Sequence, residues 1–347
     1  MQETGRVAVV IVNFNGAAHV ADCLDALRSQ TFKDFFAVVL DNGSSDGSPE
    51  LIASGFPEVE LVRSPENLGF AAGNNRVIDT CLARDGVDCV LTLNNDVVME
   101  PDCLEKMVAA LDGSAGTWSC QPKMYLARGW AEPVLNNTGI VVWRDGSAFN
   151  RGINEPDTGQ YDGATDVFGT CAGCSLYRVE VLRKTGLFDE SFFAYLEDVD
   201  LAWRGRLLGH SSVFRPDAVC WHRHGAAATA PARKISLVEA NRIKVLVKNY
   251  APFDILLSPL FTAYRMARLA LLGLSSGEDA GRLETYRGDL RPTALMRAVL
   301  AGWLKGLKGV RTCLQERRDF SSKRATAPGA RRLARKYSGR LTDLLSR

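Results

Sequence analysis

The stretch VAVVIVNFNG, residues 7–16, decides the fold class of this chain. Its first six residues form a continuous apolar, largely β-branched run, which predicts a strand buried on both faces. The polar residues Asn13 and Asn15 follow at once, and Gly16 ends the run. Residues 17–30 then have apolar side chains at helical spacing. A buried strand, a polar turn and an amphipathic helix in this order predict one βα unit of a parallel sheet.

The same alternation continues along the first third of the chain. Further apolar runs predict strands at 35–40, 59–62 and 89–93, and helical patterns occupy 70–83 and 99–111. Strands that alternate with helices predict the α/β class, with a mostly parallel sheet flanked by helices.

The pattern then changes twice. Residues 113–170 are rich in Gly, Asn, Asp and Trp and predict short strands and loops. Beyond residue 225 only helical patterns remain, so we predict a first domain over 1–230 and a basic helical C-terminal region over 231–347. Smaller elements are predicted before that boundary: a strand at 174–177, a helix at 196–208 and a strand at 212–215. The C-terminal helices are predicted at 235–249, 253–274 and 295–314.

Composition and charge exclude several classes of protein and indicate a partner. The chain has 347 residues, 46% hydrophobic and 24% charged, which excludes wholesale disorder, collagen and a small disulfide-stabilised toxin. Its net charge is +2, but residues 282–347 hold 17 lysines and arginines against 5 acidic residues, a net of +12 that leaves −10 for the rest. A basic tail predicts an acidic surface as partner, either a membrane or a nucleic acid. No base-reading motif accompanies the tail, so a membrane is favoured and nucleic acid is not expected.

The cysteines and the N-terminus indicate the compartment. Nine cysteines, an odd number without a framework of spacings, favour a reducing environment. The N-terminal residues lack the layout of a signal peptide, and no uncharged apolar stretch is long enough to span a bilayer. We therefore expect a cytoplasmic protein.

Polar side chains follow each of the four predicted parallel strands. Asn13 and Asn15 follow the first, Asp41 the second and Asn67 the third, while Asn94-Asn95-Asp96 (94–96) follows the fourth. Each alone is an ordinary turn former. Because ligands of open α/β sheets bind outside the carboxyl ends of the strands, the four together favour a binding site.

Two acidic clusters and one histidine could carry chemistry. Asp96, beside the amide of Asn95, could hold a hard divalent cation such as Mg²⁺. Asp198 and its neighbour Glu197 open the predicted helix at 196–208, where Asp198 could act as a general base or simply be a first-turn acid. His222 is a potential metal ligand, although such a histidine is more often part of a solvated loop.

Five motifs in order resemble those of inverting family 2 glycosyltransferases of the GT-A fold, in particular the rhamnosyltransferase-like branch. The resemblance covers about residues 5–230 and implies a Rossmann-like, mostly parallel sheet with a catalytic role for that domain. The motifs are VVIVNFNG (9–16), LDNGSSDGS (40–48), ENLGFAAGNN (66–75), LTLNNDV (91–97) and FFAYLEDVDLAWR (192–204).

The resemblance implies a donor site made by the first motifs. Asp41 would hydrogen-bond the nucleobase of a sugar nucleotide, and Asn13 and Asn15 would line that pocket. Asn67 and Asn75 would lie near the donor.

It also implies the reacting groups. Asn95 and Asp96 stand where the family has Asp-x-Asp, so that Asn95 would contact the donor and Asp96 would hold a divalent metal, Mg²⁺ or Mn²⁺, with His222. Only one carboxylate of that motif is present here. Asp198 would be the catalytic base, and Glu197 would hold the acceptor.

The substrates and location follow from the same resemblance. The implied donor is dTDP-rhamnose or a UDP-linked sugar, and the implied acceptor is a glycan or a polyprenyl-linked molecule of bacterial polysaccharide or cell-surface biosynthesis. The helix predicted at 295–314 would place Trp303, Leu307 and Leu314 on one face beside lysines and arginines. Such a helix predicts either peripheral association with the inner face of the cell membrane or packing on the first domain.

Two other functions are weighed against this one. A sugar nucleotidyltransferase would need a Gly-rich loop with basic residues after the first strand, and residues 13–16 are Asn-Phe-Asn-Gly. A catalytically degenerate scaffold of a membrane glycan-assembly complex would not need Asp96 or Asp198.

Overall fold

The computed structural model describes residues 5–127, 133–223, 230–274, 290–321 and 329–339. The strands are β1 Val7–Asn13, β2 Phe35–Asn42, β3 Glu60–Ser64, β4 Cys89–Asn94, β5 Val97–Met99, β6 Thr117–Leu126, β7 Val134–Asn137, β8 Ile140–Val142, β9 Ala148–Asn150, β10 Asp166–Val167, β11 Cys174–Arg178 and β12 Ser211–His222. The helices are α1 Val20–Arg28, α2 Ser48–Gly55, α3 Gly69–Leu82, α4 Cys103–Asp112, α5 Val179–Thr185, α6 Glu197–Leu207, α7 Pro231–Asn249, α8 Pro252–Leu274, α9 Pro292–Lys308, α10 Val310–Ser321 and α11 Ala330–Lys336, with a 3₁₀ turn at Glu190–Phe192.

A ten-stranded sheet organises the first part of the chain. Its order is β10-β12-β6-β11-β4-β1-β2-β3, with β5 paired to β12 and β7 to β6. The strands from β4 to β3 are parallel, as are β6 and β12, whereas β11 runs antiparallel between β4 and β6. The predicted α/β class, a central sheet flanked by helices, is confirmed.

The apolar run of β1 explains why the sheet is covered on both sides. Val7, Val9 and Ile11 point into one core with α1 and α4. Ala8 and Val10 point into a second core with α3 and α5. Because successive side chains of a strand alternate between its faces, a strand buried on both faces has to be apolar at every position.

Several elements differ from the sequence prediction. The stretch 113–170, predicted as short strands and loops, contains the ten-residue strand β6, and β12 is twelve residues long instead of four. Helix α2 was not predicted. The helix predicted at 295–314 is two helices, α9 and α10, which are separated at Gly309.

The chain divides into two compact units. Unit 1 comprises Met1–Ile140, Asn150–Gly205 and His210–Ala227, and contains the large sheet. Unit 2 comprises Val141–Phe149, Arg206–Gly209 and Ala228–Arg347, and contains α7 to α11. The division predicted after residue 230 stays a prediction, as does the catalytic role of the first domain.

Unit 2 contains a buried ionic cluster at its centre. Arg265 of α8 lies 2.8 Å from a carboxylate oxygen of Asp145 and 2.9 Å from one of Glu239 of α7. Arg242 bonds Glu239 at 3.1 Å, and the indole of Trp303 donates to Glu239 at 2.8 Å. Each buried charge therefore has partners of opposite charge, the condition under which charges are tolerated in an interior.

Within the described residues, none of the helices has both the length and the apolar character that crossing a bilayer requires.

Candidate active site

The registers of three parallel strands place the predicted donor residues at one edge of the sheet. Asn13 is paired with Asp41 across β1 and β2, and Val12 is paired with Asn94 across β1 and β4. Asn95 therefore follows its strand at the same level as Asn13. The sheet brings these residues together, as expected for the carboxyl edge of a parallel sheet.

The amide of Asn13 is the centre of this edge. Its Oδ1 accepts a hydrogen bond from Asn95 Nδ2 at 2.8 Å, and its Nδ2 donates to Ser48 Oγ at 2.8 Å. Asn13 is fully buried, so its hydrogen bonds orient both the turn after β2 and the turn after β4. A Cβ atom at Gly16 would lie 2.1 Å from Asn95 Nδ2, which explains why the first turn needs glycine.

A polar loop closes over the ends of β1 and β2. The backbone N–H of Asn15 donates to Ser44 Oγ at 2.9 Å, and Asn15 Oδ1 accepts from the N–H of Ser45 at 2.9 Å. Asp41 is 5% exposed and accepts from the N–H of Ser44 at 3.3 Å. Ser44 thus links two of the residues that the sequence predicts for the donor site.

Asp46 belongs to the same loop. It accepts from the hydroxyl of Ser48 at 2.6 Å and from the N–H of Ala17 at 2.8 Å. Burial raises the pKa of Asp46, but these hydrogen bonds outweigh it and hold the pKa below its usual value. The carboxylate of Asp46 is therefore part of the hydrogen-bonded loop at this edge of the sheet.

The remaining two donor predictions lie on α3 and the turn before it. Asn67 accepts from the N–H of Gly69 at 2.8 Å and is exposed. Asn75 is buried, and its amide bonds the backbone of Phe188 and the carboxylate of Glu190. Its side chain therefore supports the segment before α6, and its contact with a donor stays a prediction.

The predicted metal ligands are neighbours because β5 pairs with β12. That pairing sets His222 opposite Val97, directly after Asp96. His222 Nε2 lies 3.3 Å from Asp96 Oδ1, and His222 Nδ1 lies 3.1 Å from Asn136 Oδ1. With Asn136 Oδ1 as the acceptor, Nδ1 donates, and Nε2 faces a carboxylate oxygen of Asp96.

Such a pair of electron-rich atoms repels unless a proton or a cation lies between them. Metal-bound histidines usually donate their second ring N–H to a carboxylate, a backbone carbonyl or water, and the side-chain oxygen of Asn136 is an acceptor of the same kind. Asp96 and His222 therefore fit a divalent cation that takes its other ligands from a substrate. Among the described residues, no group of three or more His, Cys, Asp or Glu side chains has an arrangement that could hold a metal ion.

The acidic pair Glu197-Asp198 opens α6 at the same edge. Asp198 Oδ2 accepts from the N–H of Ala172 at 3.2 Å, and Oδ1 accepts from the N–H of Val199 at 2.8 Å. The turn that contains Ala172 is in turn bonded to β4, because the N–H of Asn94 donates to the carbonyl of Gly173 at 2.9 Å. The turn at 171–174 thus connects Asp198 to the strand that leads to Asp96.

Burial dominates the protonation of this pair. Desolvation raises the pKa of Asp198 despite its backbone hydrogen bonds, and raises that of Glu197 well above its usual value, with the charge of Asp198 adding to the effect. Oε2 of Glu197 is buried and has no hydrogen-bond partner within the part of the chain that is described. The helix N-terminus alone would have favoured ionised carboxylates. Burial instead makes both carboxyl groups harder to ionise.

The backbone before the acidic pair is strained. Phe193, Tyr195 and Leu196 have φ values of 63°, 70° and 67°, a backbone region that residues other than glycine rarely adopt. The carbonyl of Phe193 accepts from the N–H groups of Phe70 and Ala71, at the start of α3. Strain of this kind is frequent at functional sites.

Sequence reasoning missed two groups of this site. Asn136 is 2% exposed and lies in the stretch predicted as short strands and loops, so its position beside His222 had no sequence signal. Ser44 and Ser48 were within a quoted motif, but their role as hydrogen-bond partners of the asparagines depends on how the loop folds.

Comparisons with known proteins agree with this arrangement. The family model described as "Glycosyl transferase family 2" matches residues 8–186. The chain is similar to the N-acetylglucosaminyl-diphospho-decaprenol L-rhamnosyltransferase of Mycobacterium tuberculosis, with 28% identity over 252 residues, 65% of this chain and 78% of that protein.

Two solved structures share the fold. A structure of GalNAc-T7 with UDP, GalNAc and Mn²⁺ has a TM-score of 0.60 at 12% identity, over 86% of this chain and 57% of that chain. The mannosyltransferase PcManGT from Pyrobaculum calidifontis, in complex with GDP-Man and Mn²⁺, has a TM-score of 0.50 at 18% identity, over 93% and 86%. The predicted GT-A fold is confirmed by these neighbours.

Proposed function

This chain belongs to glycosyl transferase family 2, and from that premise we propose that it transfers rhamnose from a nucleoside diphosphate sugar, with inversion, to a glycan or lipid-linked acceptor. The family match favours sugar transfer over the nucleotidyl transfer considered above. The observation that carries the proposal is the turn at 171–174, which connects Asp198 to the strand ending before Asp96.

The donor would bind at the edge formed by Asn13, Asn15 and Asp41. Asp41 is nearly buried and accepts one hydrogen bond from the backbone at 3.3 Å, so its carboxylate can also accept from an N–H of a nucleobase. The amides of Asn95 and Asn67 would offer donors and acceptors to the sugar and phosphates. We propose rhamnose because the mycobacterial relative is a rhamnosyltransferase, with a UDP-linked sugar as the alternative donor.

Asp96 and His222 would hold Mg²⁺ or Mn²⁺. A divalent cation supplies neutralisation of the charge that develops on a leaving diphosphate. The two structural neighbours contain Mn²⁺, which supports this proposal. Asn136 would hold the His222 ring so that Nε2 faces the carboxylate of Asp96.

Asp198 would take the proton of the acceptor hydroxyl. Its raised pKa makes it a stronger base than an exposed carboxylate, and the N–H groups of Ala172 and Val199 hold both of its oxygens. Glu197, whose pKa burial raises, lies beside Asp198 and would help to hold the acceptor sugar. The acceptor oxygen then attacks the anomeric carbon from the face opposite the diphosphate, which inverts that centre.

The proposed location is the inner face of the cell membrane. The mycobacterial relative is named for an acceptor linked to decaprenol, a lipid. The basic C-terminal residues of this chain would be attracted to an anionic leaflet. A peripheral enzyme in the cytoplasm could reach both a soluble nucleotide sugar and a lipid-linked acceptor.

The test measures turnover of a panel of nucleotide sugars, with and without Mn²⁺. Release of the nucleoside diphosphate is the signal that is monitored. We expect Asp198→Asn to lower kcat by about 10²–10⁴-fold and to leave donor affinity unchanged, because only the proton acceptor is lost. Asp79→Asn, at an exposed position of α3, is the matched control and should turn over normally. Turnover retained by Asp198→Asn would remove the base assignment.

A further inference from the structure

The exposed large hydrophobic side chains of the described residues are confined to unit 2. They lie on three consecutive helices, α8, α9 and α10, and are between 41% and 74% exposed. Apolar side chains that are exposed singly are normal in soluble proteins, but a concentration of them on neighbouring elements indicates an interaction surface. These residues are Phe253, Leu256, Leu260, Tyr264, Met296, Leu300, Leu304, Leu307 and Leu314.

Helix α8 exposes apolar side chains although some of its buried positions are polar. Its buried side includes Ser258 and Arg265, and the guanidinium of Arg265 is held in the ionic cluster by Asp145 and Glu239. None of the exposed positions up to residue 270 has a charge. Those positions are Pro252, Phe253, Leu256, Pro259, Leu260, Ala263, Tyr264, Ala267 and Ala270.

Helix α9 has a fixed orientation that also exposes apolar side chains. Gly302 and Gly306 contact α7 so closely that a Cβ would lie 2.6 Å from the carbonyl oxygen of Ser236 or 2.9 Å from that of Ala240. Leu300 and Leu304 are on the opposite side of the helix, about 200° from Gly302 at 100° per residue. Trp303, predicted on the same face as Leu307, directs its indole inward and donates to the buried Glu239.

The exposed charged side chains of α9 are all positive. Arg297, Lys305 and Lys308 are exposed, and α9 contains no acidic residue. Two copies of this surface would repel each other through these cations. An anionic lipid headgroup, by contrast, attracts each of them, while the apolar side chains enter the boundary between headgroups and acyl chains.

We propose that the exposed faces of α8 and α9 are a membrane-docking surface, which binds an anionic leaflet with both helices in the plane of the interface. This inference rests on the proposed membrane location. It assigns the contact with lipid to a defined surface as well as to the basic C-terminal residues. It requires no spanning helix, in agreement with the lengths and hydropathy of the described helices.

The test measures sedimentation of the full chain with vesicles of phosphatidylcholine and phosphatidylglycerol in equal parts. No donor or acceptor is present, so failure of sugar transfer and failure of docking are separate results. We expect Leu256→Gln with Leu260→Gln to weaken partitioning by roughly tenfold or more, because two leucines no longer enter the lipid. Both positions are exposed, at 74% and 68%, so the melting temperature should not change.

The matched control is Leu256→Met with Leu260→Met, which keeps the apolar character and should partition as the wild type does. Lys305→Gln with Lys308→Gln should weaken binding roughly fivefold per lysine, and only to vesicles that contain phosphatidylglycerol. A glutamine double variant that sediments like the wild type would overturn the proposal. So would light scattering that shows a wild-type dimer which the glutamine variant abolishes, because the face would then bind a second copy.

Discussion

Three amide side chains, Asn13, Asn95 and Asn136, are buried in the candidate active site and bind neighbouring side chains there. An amide has a donor and an acceptor on one short side chain, so Asn13 bonds both Asn95 and Ser48 without the desolvation cost of a charge. At the scale of residues, neutral amide side chains therefore surround and position the ionisable groups of the site, such as His222.

Asn136 provides a test of that positioning. Asn136→Ala should lower the affinity for Mn²⁺ by about 10–100-fold, because the ring of His222 loses the partner of its Nδ1. The measurement is the electron paramagnetic resonance signal of free Mn²⁺ in a titration without donor. Asn136→Asp keeps an acceptor oxygen at this position and should retain the affinity. Equal affinities for the alanine variant and the wild type would contradict the role.

The place of Asn13, Asp41 and Asp96 at the ends of strands was predicted from the sequence, but their hydrogen-bond partners were not. Asn13 and Asp41 directly follow an apolar run, and Asp96 comes three residues after one. Asn136 lies in the short strand β7, within a stretch of weak pattern, and it comes to lie beside His222, 86 positions away, only after folding. Contacts at such a separation depend on strand order, which local patterns do not encode.

At the scale of elements, purely apolar strands were predictable and polar ones were not. Strands β1, β2 and β4 are predicted by their uninterrupted apolar runs. Strand β6 contains Gln121 and Lys123, which are buried yet satisfied, since Gln121 accepts from the N–H of Cys171 and Lys123 pairs with Asp157. A buried polar side chain with a distant partner looks like a loop residue in the sequence, which is why β6 was missed.

The packing of α9 on α7 gives a prediction at this scale. Gly306→Val should lower the free energy of unfolding by about 1–3 kcal/mol, because its side chain would overlap the backbone of Ala240 and the side chain of Ile243. Gly309→Ala is the matched control, since its nearest neighbour would be 3.5 Å away. Urea unfolding of both variants checks this, and equal stabilities would show that α9 does not contact α7 so closely.

At the scale of the whole molecule, the two units bury acids with opposite protonation preferences. In unit 1 burial raises the pKa of Glu197 and Asp198. In unit 2 burial also raises the pKa of Asp145 and Glu239, but Arg265 and Arg242 outweigh it and both pKa values are lowered. The two units should therefore respond to acid in opposite directions.

The prediction follows from linkage. The stability that Asp145 and Glu239 provide is present above their unfolded pKa of about 4 and is lost as pH falls through the lower folded values. The folded forms of Glu197 and Asp198 instead bind protons more tightly than the unfolded chain does, so acidification to about pH 4 favours their fold. Hydrogen exchange should thus show protection of α7 and α8 falling on acidification while that of β1 and α6 holds.

The control for this prediction is Asp145→Asn. This variant should be less stable at neutral pH, and the hydrogen-exchange protection of its α7 and α8 should depend less on pH. Uniform loss of protection over both units would show that the ionic cluster does not determine the response to acid.

The left-handed backbone at Phe193, Tyr195 and Leu196 has a mechanical consequence. Roughly 1 kcal/mol or more per residue of conformational energy is stored immediately before the Glu197-Asp198 pair. The carbonyl of Phe193 holds the segment in place through the first amides of α3. An anion that bound those amides in its place would release the segment and change the position of Asp198.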